Sequence, residues 1–257
     1  MWLLAVALFA GLKWVSWWRV RSQVVHRPWR SVAYLLGWPG MDAEAFLDEQ
    51  QQAARPRAVE WLWAVVKTLA GIALIWIIAR RAQMPLAQGW TGLLGLVLLL
   101  HFGSFHLIAL FWQSMGVVAQ PIMAKPILSK TLSEFWGKRW NLGFRQLAHD
   151  LIFQPLHRKI GVAAAGLLVF LTSGLVHDLV ISVPARGGYG LPTGYFVLQG
   201  LGVMLERSAL GQGMGLQRGI GGWMFMVIVA AGPAFWLFHP PFVMRVILPF
   251  MRVVHAL

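Results

Sequence analysis

Long apolar runs separated by short polar or basic connections dominate the chain, and this pattern predicts helices that cross a membrane. A bilayer core of about 30 Å takes about 20 apolar residues of helix, because the backbone there must satisfy its own hydrogen bonds. Trp61 to Ala79 reaches that length with one charge, Lys67, and Trp90 to Trp112 with none, although it holds His101 and His106. Ile160 to Val183 carries only Asp178, and Gly219 to Phe238 is uncharged. Two weaker stretches bring the expectation to six spans: Trp2 to Trp18, short and interrupted by Lys13, and Tyr189 to Leu205, broken by Pro192 and Gly194. Phe242 to Val254 is too short for a comfortable crossing and sets Arg245 and Arg252 on one helical face, so it is predicted to lie at the interface. The first stretch lacks the basic start of a secretory signal and reads as an uncleaved anchor. Tryptophans cluster near the predicted helix ends (Trp2, Trp14, Trp17, Trp18, Trp61, Trp90, Trp112), where an amphipathic ring suits the head-group layer.

The connections differ in character. Residues 39–60, with Asp42, Glu44, Asp48 and Glu49, read as a solvated helix. Residues 119–159 form the longest basic connection, and a connection of that length is usually structured or functional. Thr131-Leu-Ser-Glu134 matches a helix capping box, and apolar residues follow at Leu132, Phe135, Trp136, Trp140, Phe144, Leu147 and Leu151. The spacing predicts an amphipathic helix starting near Ser133, with Lys138, Arg139, Arg145, Arg158 and Lys159 around its aromatic face. Asn141, directly after Trp140, puts an amide beside an apolar face, where an unpaired polar group is disfavoured.

Composition sharpens the class. Of 257 residues 58% are apolar and 12% charged, against roughly 45–50% and about 25% in soluble proteins, so a water-soluble fold is nearly excluded. The chain carries 22 Lys and Arg against nine Asp and Glu, a net charge of +13, which points to anionic lipid head groups or anionic substrates and away from nucleic acid. Six crossings would put fifteen Lys and Arg in the connections on one side and five on the other, and the positive-inside rule then places residues 113–159 in the cytoplasm. With no cysteine, thiol chemistry and disulfides are excluded. No internal repeat or linker divides the chain, so residues 1–257 are expected to form a single integral-membrane domain of all-α class.

The span from Ile160 ends in Ser173-Gly-Leu-Val-His177-Asp178, which places an ionisable pair in or near hydrocarbon, a position that marks a functional site by default. Adjacent helix positions point about 100° apart, so Asp178 is not expected to orient His177; Ser173, four residues earlier, shares its face. The competing account is a histidine satisfied by a backbone carbonyl at the interface. His101 and His106 are about 140° apart around a helix and do not form a one-face ligand pair. His149 and Asp150 are explained as well by a surface pair as by a role in chemistry. The glycine-rich run 211–222 lacks GxGxxG spacing, and no histidine is followed five residues later by aspartate.

Phe135-Trp-Gly-Lys-Arg-Trp-Asn141 followed, one apolar segment later, by Ser173-Gly-Leu-Val-His177 resembles the membrane-bound O-acyltransferase superfamily, in particular its wax synthase branch. The matching block covers residues 120–183, which the resemblance marks as the catalytic core. In that family the aromatic motif ends in an asparagine and a downstream intramembrane histidine is catalytic, so by position the roles fall on Asn141 and His177. The resemblance implies transfer of a fatty acyl group from acyl-coenzyme A to the hydroxyl of a lipophilic alcohol, as in wax ester synthesis, with His177 as general base and Asn141 polarising the thioester carbonyl. Trp136, Lys138, Arg139, Trp140, Arg145 and Ser173 are the expected substrate contacts, the cations meeting the phosphates of coenzyme A. Acyl-coenzyme A would be a co-substrate, with no cofactor or metal required. The alternative from another class is a lipid-binding protein or a proton-coupled transporter that uses His177 and Asp178 as a relay.

Overall fold

The protein is described from a computed structural model over residues 2–257, and its described residues form helices and connections without a strand. In chain order the elements are α1 (Trp2–Val20), α2 (Pro28–Gly37), α3 (Ala43–Leu47), α4 (Ala58–Arg81), α5 (Pro85–Ser114), α6 (132–139), α7 (Leu142–Ala148) and α8 (Gln154–Ile160). There follow α9 (Val162–Ala185), α10 (Leu191–Arg207), α11 (Ala209–Gly213), α12 (Gly219–Leu237) and α13 (240–253). Five of these, α1, α4, α5, α9 and α12, are long and apolar enough to cross a membrane, at 19, 24, 30, 24 and 19 residues. The protein is therefore a polytopic helical membrane protein.

The sixth expected span is α10, and it differs in kind. Its 17 residues reach about 26 Å, a little under the hydrocarbon thickness. Tyr195, Phe196, Gln199, Gly200, Gly202 and Glu206 are buried, so much of its apolar surface meets protein. Helix α13 also departs from a surface helix. Phe242, Val243, Ile247, Leu248 and Met251 are buried, and Arg245 donates to the carbonyls of Ala185 and Arg186 at 3.0 Å each.

The chain divides into two compact units. One comprises residues 2–123, 142–147 and 250–257. Its core packs Tyr34, Trp38, Phe46 and Leu47 with Ala109 and Val117. Two lysines in spanning helices are explained here. Lys13 is buried, donates to the Gly40 carbonyl and lies 3.3 Å from the centre of the Tyr34 ring, whose hydroxyl is 2.6 Å from Ser16 Oγ. Lys67 on α4 donates to His106 Nδ1 on α5 at 3.0 Å. Each cation in a lipid-facing segment thus has protein partners, as the low dielectric demands. At its end α4 is tied to the C-terminal residues, Trp76 Nε1 donating to the Val254 carbonyl at 3.2 Å and Arg80 Nε to that of Ala256 at 2.9 Å.

The other unit comprises residues 124–141 and 148–249. Its centre is the pair α9 and α10. Gly174 lets the two backbones approach closely: a Cβ there would stand 2.7 Å from Thr193 Cα, so any larger residue meets backbone that cannot swing away. Around this pair α12 and α6 close a small cluster of Leu132, Met226 and Ala230.

Gly174→Val should force α9 and α10 apart, a cost of about 1–3 kcal/mol by analogy with overpacked cores. The expected result is a lower thermal unfolding midpoint of the detergent-solubilised protein than Gly166→Val gives, because a Cβ at Gly166 meets nothing within 4 Å.

Candidate active site

The aromatic motif begins with an N-cap. Thr131 Oγ1 accepts from the Glu134 amide at 3.0 Å, as the sequence predicts. The reciprocal half of the capping box is shifted by one residue, since Glu134 Oε2 accepts from the amide of Lys130 at 2.8 Å. The other oxygen of Glu134 receives Arg139 Nε and Nη2, both at 2.7 Å. Arg139 also donates to the Ala124 carbonyl at 3.2 Å, and the Ala124 amide returns a bond to the Arg139 carbonyl at 2.8 Å. These bonds clasp the motif to its own entry strand of chain. The Glu134 carboxyl is held below its ordinary range by the Lys130 amide first and by Arg139 beside it.

The amphipathic helix expected from Ser133 onward is real but starts at Leu132 and breaks early. Phe135–Arg139 form a π turn closed by the Trp140 amide on the Phe135 carbonyl at 2.9 Å. Asn141 then adopts a left-handed conformation, φ 45°, before α7 starts at Leu142. Asparagine tolerates this backbone better than most residues, so the family-motif position and the break coincide in one residue. The π turn changes the angular spacing of the aromatic rings. Phe135 and Trp140 stack at 5.2 Å, and Trp136 meets Trp140 at 6.4 Å, Phe170 at 5.7 Å and Phe196 at 5.7 Å.

His177 ends the α-helical part of α9, directly before a second π turn, Asp178–Ser182. Its Nδ1 lies 2.7 Å from the Ser173 carbonyl. A carbonyl only accepts, so Nδ1 carries the hydrogen and Nε2 presents a lone pair. Ser173 meets the ring through its backbone carbonyl and not through the hydroxyl that shares its face, which is the geometry of the competing account. The ring packs on Phe196 with centroids 4.4 Å apart. Phe196 therefore joins His177 to Trp136, and through Trp136 and Trp140 the ring contacts lead to the residue before Asn141.

Asp178 turns to other work. It accepts from Ser182 Oγ at 2.7 Å, from the Gly190 and Thr193 amides at 2.9 and 3.0 Å, and from Thr193 Oγ1, and so holds the N-terminal turn of α10. Ser182 Oγ is also 3.2 Å from Nε2 of the buried His239.

Among the expected substrate contacts, Trp136, Trp140 and Ser173 lie in the unit that holds His177, Lys138 is exposed there, and Arg139 is engaged by Glu134 and Ala124. Arg145 belongs to the other unit, where it donates to Gln146 at 3.3 Å and lines a pocket of about 100 Å³ with Trp38, Asp42 and Gln120. His149 and Asp150 form a half-exposed pair at 3.2 Å, and His149 stacks on Phe153.

Three residues of the site carry no signal strong enough to find them in the sequence. Phe196 is one of many aromatic residues. Gln199 is buried, accepting from Trp136 Nε1 at 3.2 Å and donating to the Val229 carbonyl at 2.7 Å. Glu206 is buried and accepts from the Leu132 and Ser133 amides at 2.5 and 3.2 Å. The usable hint is that Glu206 is one of four acids after residue 60.

A helical membrane protein with a tautomer-fixed histidine beside an aromatic, asparagine-ended turn is the class these features define. Residues 119–198 match the Membrane bound O-acyl transferase family, a range that includes Trp136, Asn141, His177 and Phe196. The chain is 31% identical over 145 residues to a long-chain-alcohol O-fatty-acyltransferase of Simmondsia chinensis, covering 51% of this chain and 40% of that protein. It is 29% identical over 145 residues to the probable long-chain-alcohol O-fatty-acyltransferase 7 of Arabidopsis thaliana, covering 49% and 41%. A shorter match, 28% over 74 residues, covers 26% of this chain and 21% of the acyl-CoA–sterol O-acyltransferase 1 of Arabidopsis thaliana. Residues 119–198 are thus similar to the Membrane bound O-acyl transferase family, and the likeness to the long-chain-alcohol O-fatty-acyltransferases extends over 145 residues. The matches to the first two relatives span about two fifths of their lengths.

The Glu134 clasp has a pH signature. Because the folded carboxyl titrates below its unfolded value, about 4.3, its contribution is complete above that value and is lost as pH falls through the folded pKa. The thermal midpoint of wild type should exceed that of Glu134→Gln at pH 6, and the difference should shrink as pH falls below the unfolded value.

Proposed function

We propose that the protein transfers a fatty acyl group from acyl-coenzyme A to the hydroxyl of a lipophilic alcohol, a long-chain alcohol being the first choice of acceptor. The single observation that carries this reading is that residues 119–198, which hold both Asn141 and His177, match the Membrane bound O-acyl transferase family. A backbone bond such as that from His177 Nδ1 to the Ser173 carbonyl at 2.7 Å also suits a merely structural histidine, but it is compatible with catalysis. That bond presents Nε2 as a base on an apolar, ring-lined face. In the proposed reaction Nε2 takes the alcohol proton while the alcohol oxygen attacks the thioester carbonyl carbon. The tetrahedral intermediate collapses with cleavage of the carbon–sulfur bond, and the imidazolium returns the proton to the departing sulfur, giving an ester and free coenzyme A. Asn141, at the end of the aromatic turn, would donate its amide N–H to the developing oxyanion, an interaction strengthened where water is excluded. Trp136, Trp140 and Phe196 would line the path of the acyl chain and keep water from the thioester.

The polar end of the acyl donor would meet the basic connection 113–159, which the positive-inside rule would place in the cytoplasm. Lys138 is the exposed cation of the motif and the better phosphate contact; Arg139 would have to leave Glu134 to serve. A proton relay through His177 and Asp178 finds less support, because four hydrogen bonds engage the Asp178 carboxylate at the start of α10.

Purified protein in detergent or nanodiscs, given acyl-coenzyme A and a panel of long-chain alcohols, sterols and diacylglycerols, should form ester with at least one acceptor. His177→Ala should abolish that activity, and Asn141→Ala should lower kcat by about 100- to 1,000-fold. Full activity in His177→Ala overturns the assignment.

A further inference from the structure

Helix α10 touches the site at both of its ends. At its start Asp178, the neighbour of His177, holds the Gly190 and Thr193 amides. In its middle Phe196 packs on His177 and Trp136, and one turn further Gln199 takes the indole N–H of Trp136. At its end Glu206 receives the first two amides of α6. The first turn of a helix leaves its N–H groups without intrahelical partners. In α6 all three are satisfied, two by Glu206 from a helix distant in sequence and one by Thr131 locally. The next residue, Arg207, adds a bond from Nε to Ser133 Oγ at 3.0 Å.

We propose that Glu206 is a positioning residue for acyl transfer: its buried carboxylate fixes the start of α6, and so sets where Trp136 and Asn141 stand relative to His177. This inference rests on the proposed acyltransferase reading. Glu206 is 1% exposed, and among the described residues no Lys or Arg forms an ion pair with it. Its counter-charge is the positive end of α6, where a carboxylate is favoured. Removing this side chain would leave two backbone donors without their acceptor, which is destabilising, so its positional role has to be read separately from its role in stability. What a carboxylate adds is two acceptor oxygens held by one rigid helix, and both amides of α6 are met at once. The π turn begins at Phe135, two residues past the Glu206 contact at Ser133, and the left-handed Asn141 follows two residues after its end at Arg139. A shift at Leu132 therefore passes through a short, covalently rigid turn to the amide proposed to meet the oxyanion, where a displacement of about 1 Å lowers rate by about 100-fold.

The test uses the full chain in nanodiscs with Glu206→Gln and Glu206→Ala, measured per mole of folded protein. Glu206→Gln keeps one carbonyl acceptor and should fold, with kcat down about 10-fold and KM for acyl-coenzyme A within about two-fold of wild type; Glu206→Ala should lose about 100-fold in kcat. Hydrogen exchange gives a readout independent of activity: the Leu132 and Ser133 amides should lose protection in both variants while α9 keeps its own. Wild-type kcat in folded Glu206→Gln and Glu206→Ala, or a loss of activity that follows only the loss of folded protein, overturns the inference and leaves the acyltransferase reading intact. A wild type that makes no ester with any acceptor overturns that reading and this inference with it, even if the exchange data behave as expected.

Discussion

A neutral imidazole at membrane depth must resolve which nitrogen carries its proton, because little water is present to serve both. In this protein the Ser173 carbonyl settles the matter at 2.7 Å. The i−4 carbonyl is available to any helical residue of the right length, so the arrangement needs no dedicated acid partner. That frees Asp178, the adjacent residue, to act elsewhere, and the two ionisable groups divide the labour: one faces the rings, the other fastens the next helix.

The fastening matters because α10 links the two sequence-distant halves of the site. His177 sits on α9 and the aromatic turn on α6, with 35 residues between Asn141 and His177. Nothing in the local backbone fixes their relation. Phe196, Gln199 and Glu206, all from α10, touch one or the other, and Gly174 allows α10 to lie close enough to α9 for Phe196 to reach the imidazole. The burial of Gln199 and Glu206 follows from the same packing. Each has its polar atoms met by backbone or indole groups, so neither leaves an unsatisfied charge or amide in the interior.

π turns recur along the described helices, and two of them flank the candidate site. Phe135–Arg139 and Asp178–Ser182 lie next to the candidate residues Asn141 and His177, and Asn141 takes a left-handed backbone. An extra residue in a turn rotates the following side chains and leaves the i−4 ladder open, which is why such turns recur at functional sites. Here the first gathers three aromatic rings into mutual contact, and the second lets Ser182 and the Asp178 carboxylate meet.

Several features were legible from the chain itself. Runs of about 20 apolar residues have one stable solution in lipid, so the spanning helices α4, α5, α9 and α12 could be drawn before any coordinate, and the short N-terminal run could be suspected. The Thr131 cap and the shared face of Ser173 and His177 were equally visible, since each depends on spacing within a few residues, whereas Asn141 and His177 were singled out as a pair by the resemblance to a family. The break at Asn141 was not, because an aromatic run at helical spacing predicts continuation and only the competing left-handed state interrupts it. Nor was the role of α10. Pro192 and Gly194 weakened it as a span, and no pattern announced that its Gln199 and Glu206 would turn toward a turn some 60 to 75 residues earlier. Local chemistry decided which segments became helix and which residues carried reactive groups. Only packing decided which buried acceptor met which donor, because a hydrogen bond between distant segments depends on where whole helices come to rest.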